Sequence, residues 1–518
     1  MSKQFELPGS PNPYWIASVD DTNYPVLKED IEVDVAIIGG GIVGISTAYL
    51  LGRAGLKAAV IEADRILQGT TGHTTAKITS QHGIIYTQIK KQLGEEMARQ
   101  YAEANESAIQ QIARTVEENK IECDFKWRPA YVYTQSEQYI QQLEEETRTA
   151  SDLGIKAFSL DNIPLPFAVK AAMRFDGQAQ FHPLKYLNAL AGQFVSVGGQ
   201  IFENTEAVDI DHTDKPVVAT RNGCKVKAAK VIVATHFPFF DGGGLYFARI
   251  YLEKSYIVAA QIEESFPEGT FISAETPGRS LRSQPFEEGE IVLFAGENHK
   301  TGHGEDTNAH YQNLLDFASQ TYQVKNVLYR WSTQDCMTLD GVPYVGNLTS
   351  GSPDLYVATG FGKWGMTNST AAAMILRDLI TKGDNPWAKV YNPSRSMGLS
   401  GVKTFIIQNA QVAKDLLSGK FEDLPKSRDL ARGEAEVIDY EGDRMGIYRD
   451  EDSKIHMIDT TCTHLGCELA WNSAEKTWDC PCHGSRFSYE GDIVEGPAIN
   501  KLNHARDEKN TVEAKVFK

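Results

Sequence analysis

DVAIIGGGIVGISTAYLLGRAGLKAAVIEAD, Asp34 to Asp64, is the stretch on which the fold turns. Its uncharged apolar run, Val35 to Ile38, reads as a buried strand. Gly39, Gly41 and Gly44 follow in G-x-G-x-x-G spacing, which lets backbone approach a pyrophosphate at a helix N-terminus. Ala48, Leu51 and Gly55 continue a helix-packing pattern, and a second strand, Ala58 to Ile61, ends in Glu62. An acidic side chain there, 18 residues past Gly44, suits a ribose hydroxyl and repels a 2′-phosphate. The unit predicts a βαβ fold binding a dinucleotide with a free ribose, and the motif by itself leaves FAD and NAD both open. Val35 to Gly52 is 18 residues without a formal charge, the length of a marginal membrane span. The glycines at 39, 40, 41 and 44 fit a strand, a turn and a helix start instead.

A second pattern lies far along the chain, where CTHLGC (Cys462 to Cys467) is followed by CPCHGS (Cys480 to Ser485). Cys462 and His464 form C-x-H, 15 residues intervene, and Cys480 and His483 form C-x-x-H. Two thiolates and two imidazoles in that order are the ligands of a Rieske [2Fe-2S] centre. Structural zinc is the alternative for a Cys and His quartet, but these intervals are not zinc spacings. The loops resemble those of the Rieske proteins of respiratory cytochrome complexes. That resemblance implies a disulfide between Cys467 and Cys482, a hydrogen bond from Ser485 to a cluster sulfur, and a covering loop at Gly496, Pro497 and Ala498. Phe487 departs from the high-potential members, which have a hydroxyl-bearing Tyr at that position. Hydrogen bonds to the sulfurs stabilise the reduced cluster, so an intermediate potential is expected.

Other segments decide between FAD and NAD. VIVATH (Val231 to His236), TLDGVPYVG (Thr338 to Gly346) and TGFGKWGM (Thr359 to Met366) resemble, in order, cofactor segments of the D-amino-acid oxidase superfamily of FAD-dependent oxidoreductases. The resemblance runs from about residue 31 to 390, and no second G-x-G-x-x-G for NAD is present. It implies FAD held by Gly39, Gly41, Gly44, Glu62, Thr70, Thr71, His73, Val208, Gly360, Gly362, Gly365 and Met366. GTTGHTTAK (Gly69 to Lys77) resembles the segment in which one branch bonds a histidine covalently to flavin. His73 takes that position, although Gly72 replaces the branch's Trp, and hydrogen bonding of His73 to cofactor or backbone is the alternative. Catalytic candidates are His73, Lys254 and Lys363; Arg279, Arg282 and Glu297 are further charged pocket candidates. At the family's usual carboxylate-binding lysine position stands Thr367, which leaves carboxylate recognition in doubt. His299, His303 and His310 lack the spacing of an iron triad and read as loop or pocket-rim residues.

The resulting expectation is an α/β FAD-binding domain (Rossmann-like, glutathione-reductase-type) with an antiparallel-sheet substrate domain, plus a small all-β Rieske domain. The 518 residues divide into an N-terminal arm (1–30), the flavin oxidoreductase (31–390), a linker with one helix, Thr404 to Leu417 (391–430), and the Rieske domain (431–518). A net charge of −18 disfavours nucleic acid and anionic membranes, and favours a basic docking partner. The start of the chain lacks a signal peptide's apolar core, and Cys123, Cys224 and Cys336 are too scattered for a secreted disulfide framework, so a cytoplasmic location without a transmembrane segment is expected. The cofactors imply a small amine or amino-acid-like substrate and a one-electron donor or acceptor, a protein or a quinone. Electrons could run from substrate through flavin to cluster, or from an external reductant through the cluster to a flavin monooxygenase or reductase; a sensor or carrier without its own substrate is the third class.

Overall fold

The computed structural model describes residues 7–304, 306–396, 398–418, 424–425 and 430–504. They fall into two compact units. The first comprises the described residues up to Tyr246, Lys254–Asn298 and Tyr311–Val402; the second comprises Phe247–Glu253, His299–His310 and the described residues from Lys403 onward.

The first unit is built on two eight-stranded sheets. In the dinucleotide sheet, the strand Ile31–Ile38 lies between two parallel neighbours, Lys225–Val233 and Ala58–Ile61, and Gln200–Phe202 extends the parallel set. Its residues from Val35 to Ile38 are all buried, as expected of a parallel strand covered on both faces. The strand Leu355–Thr359 joins this sheet beside Lys225–Val233. The helix Ile42–Arg53 crosses it so closely that a Cβ on Gly44 would sit 1.9 Å from the Gly39 carbonyl oxygen. The substrate sheet holds Arg279–Phe286 antiparallel to Gly289–Lys300 and to Thr270–Ser273. Thr270–Ser273 runs parallel to Ala130–Thr134, which interrupts the antiparallel pattern.

Two helices, Tyr86–Leu93 and Glu95–Asn119, follow the glycine-turn segment. Gly94, at φ 92°, breaks them in a conformation that suits glycine. The N-terminal segment is no loose arm. Trp15 is completely buried and its Nε1 donates to the Thr74 carbonyl at 2.6 Å, so this segment clamps the run that follows Gly69.

The second unit combines most of the helix Leu399–Ser418 with two small antiparallel sheets. A three-stranded antiparallel sheet (Ala435–Tyr440, Asp443–Arg449, Ile455–Asp459) accompanies a four-stranded one (Ala470–Asn472, Thr477–Asp479, Arg486–Ser488, Ile493–Glu495). The expected linker helix is longer than its apolar pattern, Leu399–Ser418. The rest of the expected linker and the last residues of the Rieske segment (397, 419–423, 426–429, 505–518) lie outside the described residues. No described helix is long and apolar enough to cross a membrane.

Candidate flavin and iron-sulfur sites

The dinucleotide turn is made of contacts that only glycine permits. Gly39 has φ 106°, and a Cβ there would lie 2.5 Å from the Ala234 carbonyl oxygen. Ile42 N, at the helix start, donates to Thr71 Oγ1 at 3.0 Å, so Thr71 fixes the turn from outside. Glu62 accepts from Gly40 N at 2.6 Å and from Asp64 N at 3.1 Å, which seats its carboxylate on the turn. Burial raises its pKa, and those two N–H donors oppose the rise. An anionic acceptor held on a glycine turn is the chemistry a ribose diol needs. Val208 is where the register of its strand slips, between Ala207 and Asp209, which takes its backbone out of the ladder.

The second cofactor segment opens another helix. Gly360 (φ 77°) and Gly362 (φ 52°) shape the loop, and Gly365 and Met366 begin the helix Gly365–Lys382, which packs on Ile42–Arg53. Ser369 Oγ and Thr338 Oγ1 are buried there without hydrogen-bond partners, as in a site with room for a polar ligand. The run after Gly69 starts as a 3-10 turn, Thr70–His73. Thr70 Oγ1 donates to the Gln334 carbonyl at 3.2 Å, and Trp331 Nε1 to the His73 carbonyl at 2.8 Å. His73 Nδ1 lies 2.9 Å from the Gly69 carbonyl, the backbone bond that was one of its expected roles. A Cβ on Gly72 would stand 2.8 Å from both Ile16 Cδ1 and the Leu67 carbonyl oxygen, which explains why this chain has no Trp there.

Lys254 is fully buried in its strand, whereas Lys363 is exposed on its loop. Arg279 pairs with Glu297. Arg282 commits its guanidinium to the Ser283, Thr75 and Ala76 carbonyls and to the Gln284 side chain. Sequence reasoning missed His82, which stacks on Trp364 at 5.0 Å and meets Tyr101 Oη and the Thr79 carbonyl, each at 2.7 Å. Burial drops its pKa to about 3, so it is a neutral link to Thr367, 3.1 Å away. Its fixed neighbours are far apart in sequence, so no local pattern marks it.

In the second unit, the two cluster loops are copies of one turn. Cys462 N donates to the Cys467 carbonyl at 2.8 Å and Gly466 N to the Cys462 carbonyl at 2.9 Å. Cys480 N and Gly484 N repeat this with Ser485 and Cys480, at the same two distances. A disulfide joins Cys467 to Cys482 across the loops. Cys467, Cys480 and Cys482 have closely grouped sulfurs, but the disulfide leaves only Cys480 of the three to ligate. Cys480 lowers the pKa of Cys462 to about 7, helped by the N–H groups of His464 and Leu465 and by the Ser485 hydroxyl. The His464 and His483 rings meet edge-on, 5.0 Å between centroids. Burial, with His464 and Lys300 nearby, takes His483 down to about 4, and its Nδ1 is buried without a partner. Two adjacent thiols and a neutral imidazole with an unused lone pair fit a cluster held by Cys462, His464, Cys480 and His483.

Ser485 is fully buried, and its Oγ accepts from Ala498 N at 3.0 Å, which ties the covering loop to the cluster loops. Two short stretches remote in sequence complete this unit. Phe247 lies edge-on to His483 at 6.1 Å, and Thr307 Oγ1 donates to Asn472 Oδ1 at 2.8 Å. A Cβ on Gly302 would press within 2.6 Å of Pro481 N. His299 and His310, also in this unit, stack on each other 4.4 Å apart.

Comparison with known proteins identifies both domains. Residues 34–379 match the family model for FAD dependent oxidoreductases, and 421–506 match that for the Rieske [2Fe-2S] domain. A Rieske 2Fe-2S iron-sulfur protein of Bacillus subtilis, YhfW, is 44% identical over 503 residues, covering 97% of this chain and 99% of its own. Gamma-glutamylputrescine oxidoreductase of Escherichia coli is 28% identical over 228 residues, 43% of this chain and 53% of its own. Among solved structures, glycine oxidase from Geobacillus kaustophilus shares the fold with a TM-score of 0.60 at 19% identity, covering 71% of this chain and 100% of that one. The chain belongs to the FAD dependent oxidoreductase family, carries a C-terminal Rieske domain, and takes FAD and a [2Fe-2S] cluster as its cofactors.

Proposed function

We propose that the protein is a dehydrogenase of an amine or N-methylated amino acid that passes the electrons singly to its own Rieske cluster. The observation that carries this reading is one chain holding both a flavin oxidoreductase domain and a complete Rieske ligand set. Glycine oxidase and gamma-glutamylputrescine oxidoreductase, by their names, act on an amino acid and on an amine, which supports the substrate class. When bound, FAD supplies two-electron oxidation and the cluster one-electron exchange. The substrate carbon gives up a hydride and its nitrogen a proton, and water hydrolyses the imine to a carbonyl compound and a free amine.

This chain's residues bind and orient. Gly39, Gly41, Gly44 and Glu62 hold the dinucleotide; Thr70, Thr71, His73 and Val208 line its course, with Gly360, Gly362, Gly365 and Met366 at the second helix start. Cys462, His464, Cys480 and His483 hold the cluster, and the Cys467–Cys482 disulfide fixes their loops. The external partner is a one-electron carrier, a protein or a quinone, and the net charge of −18 favours a basic protein. Anaerobic mixing with a panel of amines and N-methylated amino acids tests the reading. Flavin bleaching by a panel member supports it; reduction only by a ferredoxin or NADH system contradicts it.

A further inference from the structure

The run that follows the 3-10 turn Thr70–His73 carries a cation in an unusual setting. Ala76 has φ 55°, a left-handed conformation that costs a non-glycine residue energy and persists only when its surroundings hold it. Arg282 does the holding. Its Nη1 donates to the Thr75 carbonyl at 3.1 Å and the Ala76 carbonyl at 2.6 Å, while Nη2 bonds Gln284 and the guanidinium lies over Trp15. The same strand, Arg279–Phe286, also receives the next residue's side chain, because Lys77 Nζ donates to Ser280 Oγ. One strand of the substrate sheet therefore fixes both the strained backbone and the ammonium beside it.

Lys77 has no acidic partner among the described residues. The one charged side chain acting on it is Arg282, itself a cation, and burial with that repulsion brings the Lys77 pKa down to about 7. Asp124, whose charge reaches Arg282, is engaged by Lys185 at 3.0 Å and by Gln284 at 3.2 Å. In a small separate sheet, Lys77–Ile78 and Lys126–Trp127 flank Ala179–Gln180 antiparallel, so Lys77, Gln180 and the exposed Lys126 stand in one row on one face. Gln180 is 2% exposed; its Nε2 donates to the Ser283 carbonyl at 2.8 Å and its Oε1 has no partner. An ammonium with donors to spare and a buried amide oxygen with no donor form a complementary pair of vacancies.

We propose that Lys77 and Gln180 recognise an amino-acid substrate, Lys77 pairing with its carboxylate and Gln180 Oε1 accepting from its amine N–H. This rests on the dehydrogenase reading and narrows it from amines in general to amino acids. It also answers the doubt raised by Thr367, since the cation comes from the run after the glycine turn. Arg282 is a positioning residue, because its donors are committed to backbone and Gln284.

The test is ligand binding to the FAD-loaded full-length protein, read from the flavin absorbance, with propionate as the carboxylate probe, methylamine as the amine probe, and N-methylglycine carrying both groups. Lys77→Met should weaken propionate at least tenfold and leave methylamine within twofold. Lys77→Arg should restore most of the propionate affinity, and Gln180→Leu should weaken methylamine more than propionate. Wild-type propionate affinity should fall as pH rises through about 7, as the ammonium is lost, with Arg282 still charged and Ser280 and Gln180 uncharged. Propionate binding unchanged in Lys77→Met, in a variant with normal flavin content, overturns the inference even if amines are oxidised. Lys77-dependent propionate binding without oxidation of any amine or amino acid supports the site and overturns the dehydrogenase reading instead.

Discussion

Replacing Phe487 with Tyr should raise the cluster's midpoint potential by about 40 mV. Phe487 is 0% exposed and shares an apolar cluster with Cys462, Cys480 and Trp478, so a hydroxyl added to its ring meets no water. It must donate to a sulfur or stand unpaired, at a cost of roughly 1–3 kcal/mol. A hydrogen bond to a charged acceptor contributes about 1.5–3 kcal/mol, and only the part that grows with the added electron shifts the potential. Taking that part as about 1 kcal/mol gives ~40 mV, since 59 mV is a tenfold change for one electron. Ser485→Ala is the mirror experiment: it deletes a donor and leaves the Ala498 N–H without its acceptor, so the potential should drop by a similar amount. Protein-film voltammetry or an EPR-monitored titration measures both. An unchanged potential in Phe487→Tyr together with a lowered melting temperature would refute the reasoning, because it would show the hydroxyl buried but unpaired.

Three further outcomes follow from single contacts. Gly44→Ala should abolish FAD retention, because its Cβ would fall 1.9 Å from the Gly39 carbonyl oxygen, and flavin content after gel filtration reads this directly. Cys467→Ser with Cys482→Ser should release a constraint across a 15-residue separation, costing about 3 kcal/mol, and cluster loss on mild heating should quicken, as followed by visible absorbance. His73 Nδ1 is engaged by the Gly69 carbonyl, so a bond to flavin would have to form at Nε2; His73 is expected to hold flavin without one, and acid precipitation should leave yellow flavin in the supernatant, whereas a yellow pellet would show the covalent link.

The residues that announced themselves in sequence are those whose chemistry is local. A G-x-G-x-x-G turn needs glycine because backbone meets backbone within a few residues, and C-x-H with C-x-x-H puts two ligands on each loop, so both were legible from spacing. Groups fixed by distant partners were not legible. Lys77 reads as an ordinary lysine until Arg282 and Ser280, about two hundred residues later, are seen to hold it. Phe247 and Thr307 carry no motif, yet they belong to the unit with the cluster loops. Trp15 hid in a segment rich in turn-formers, where burial against Thr74 could not be inferred from composition.

The central claim is that substrate electrons reach the Rieske cluster through the flavin of the same molecule. Anaerobic rapid-freeze EPR after mixing the fully loaded oxidised protein with N-methylglycine, or with whichever panel member bleaches the flavin, tests it most directly. The account predicts that the reduced-cluster signal grows in after the flavin bleaches, at a rate independent of protein concentration. A bleached flavin beside a cluster that stays oxidised would contradict it.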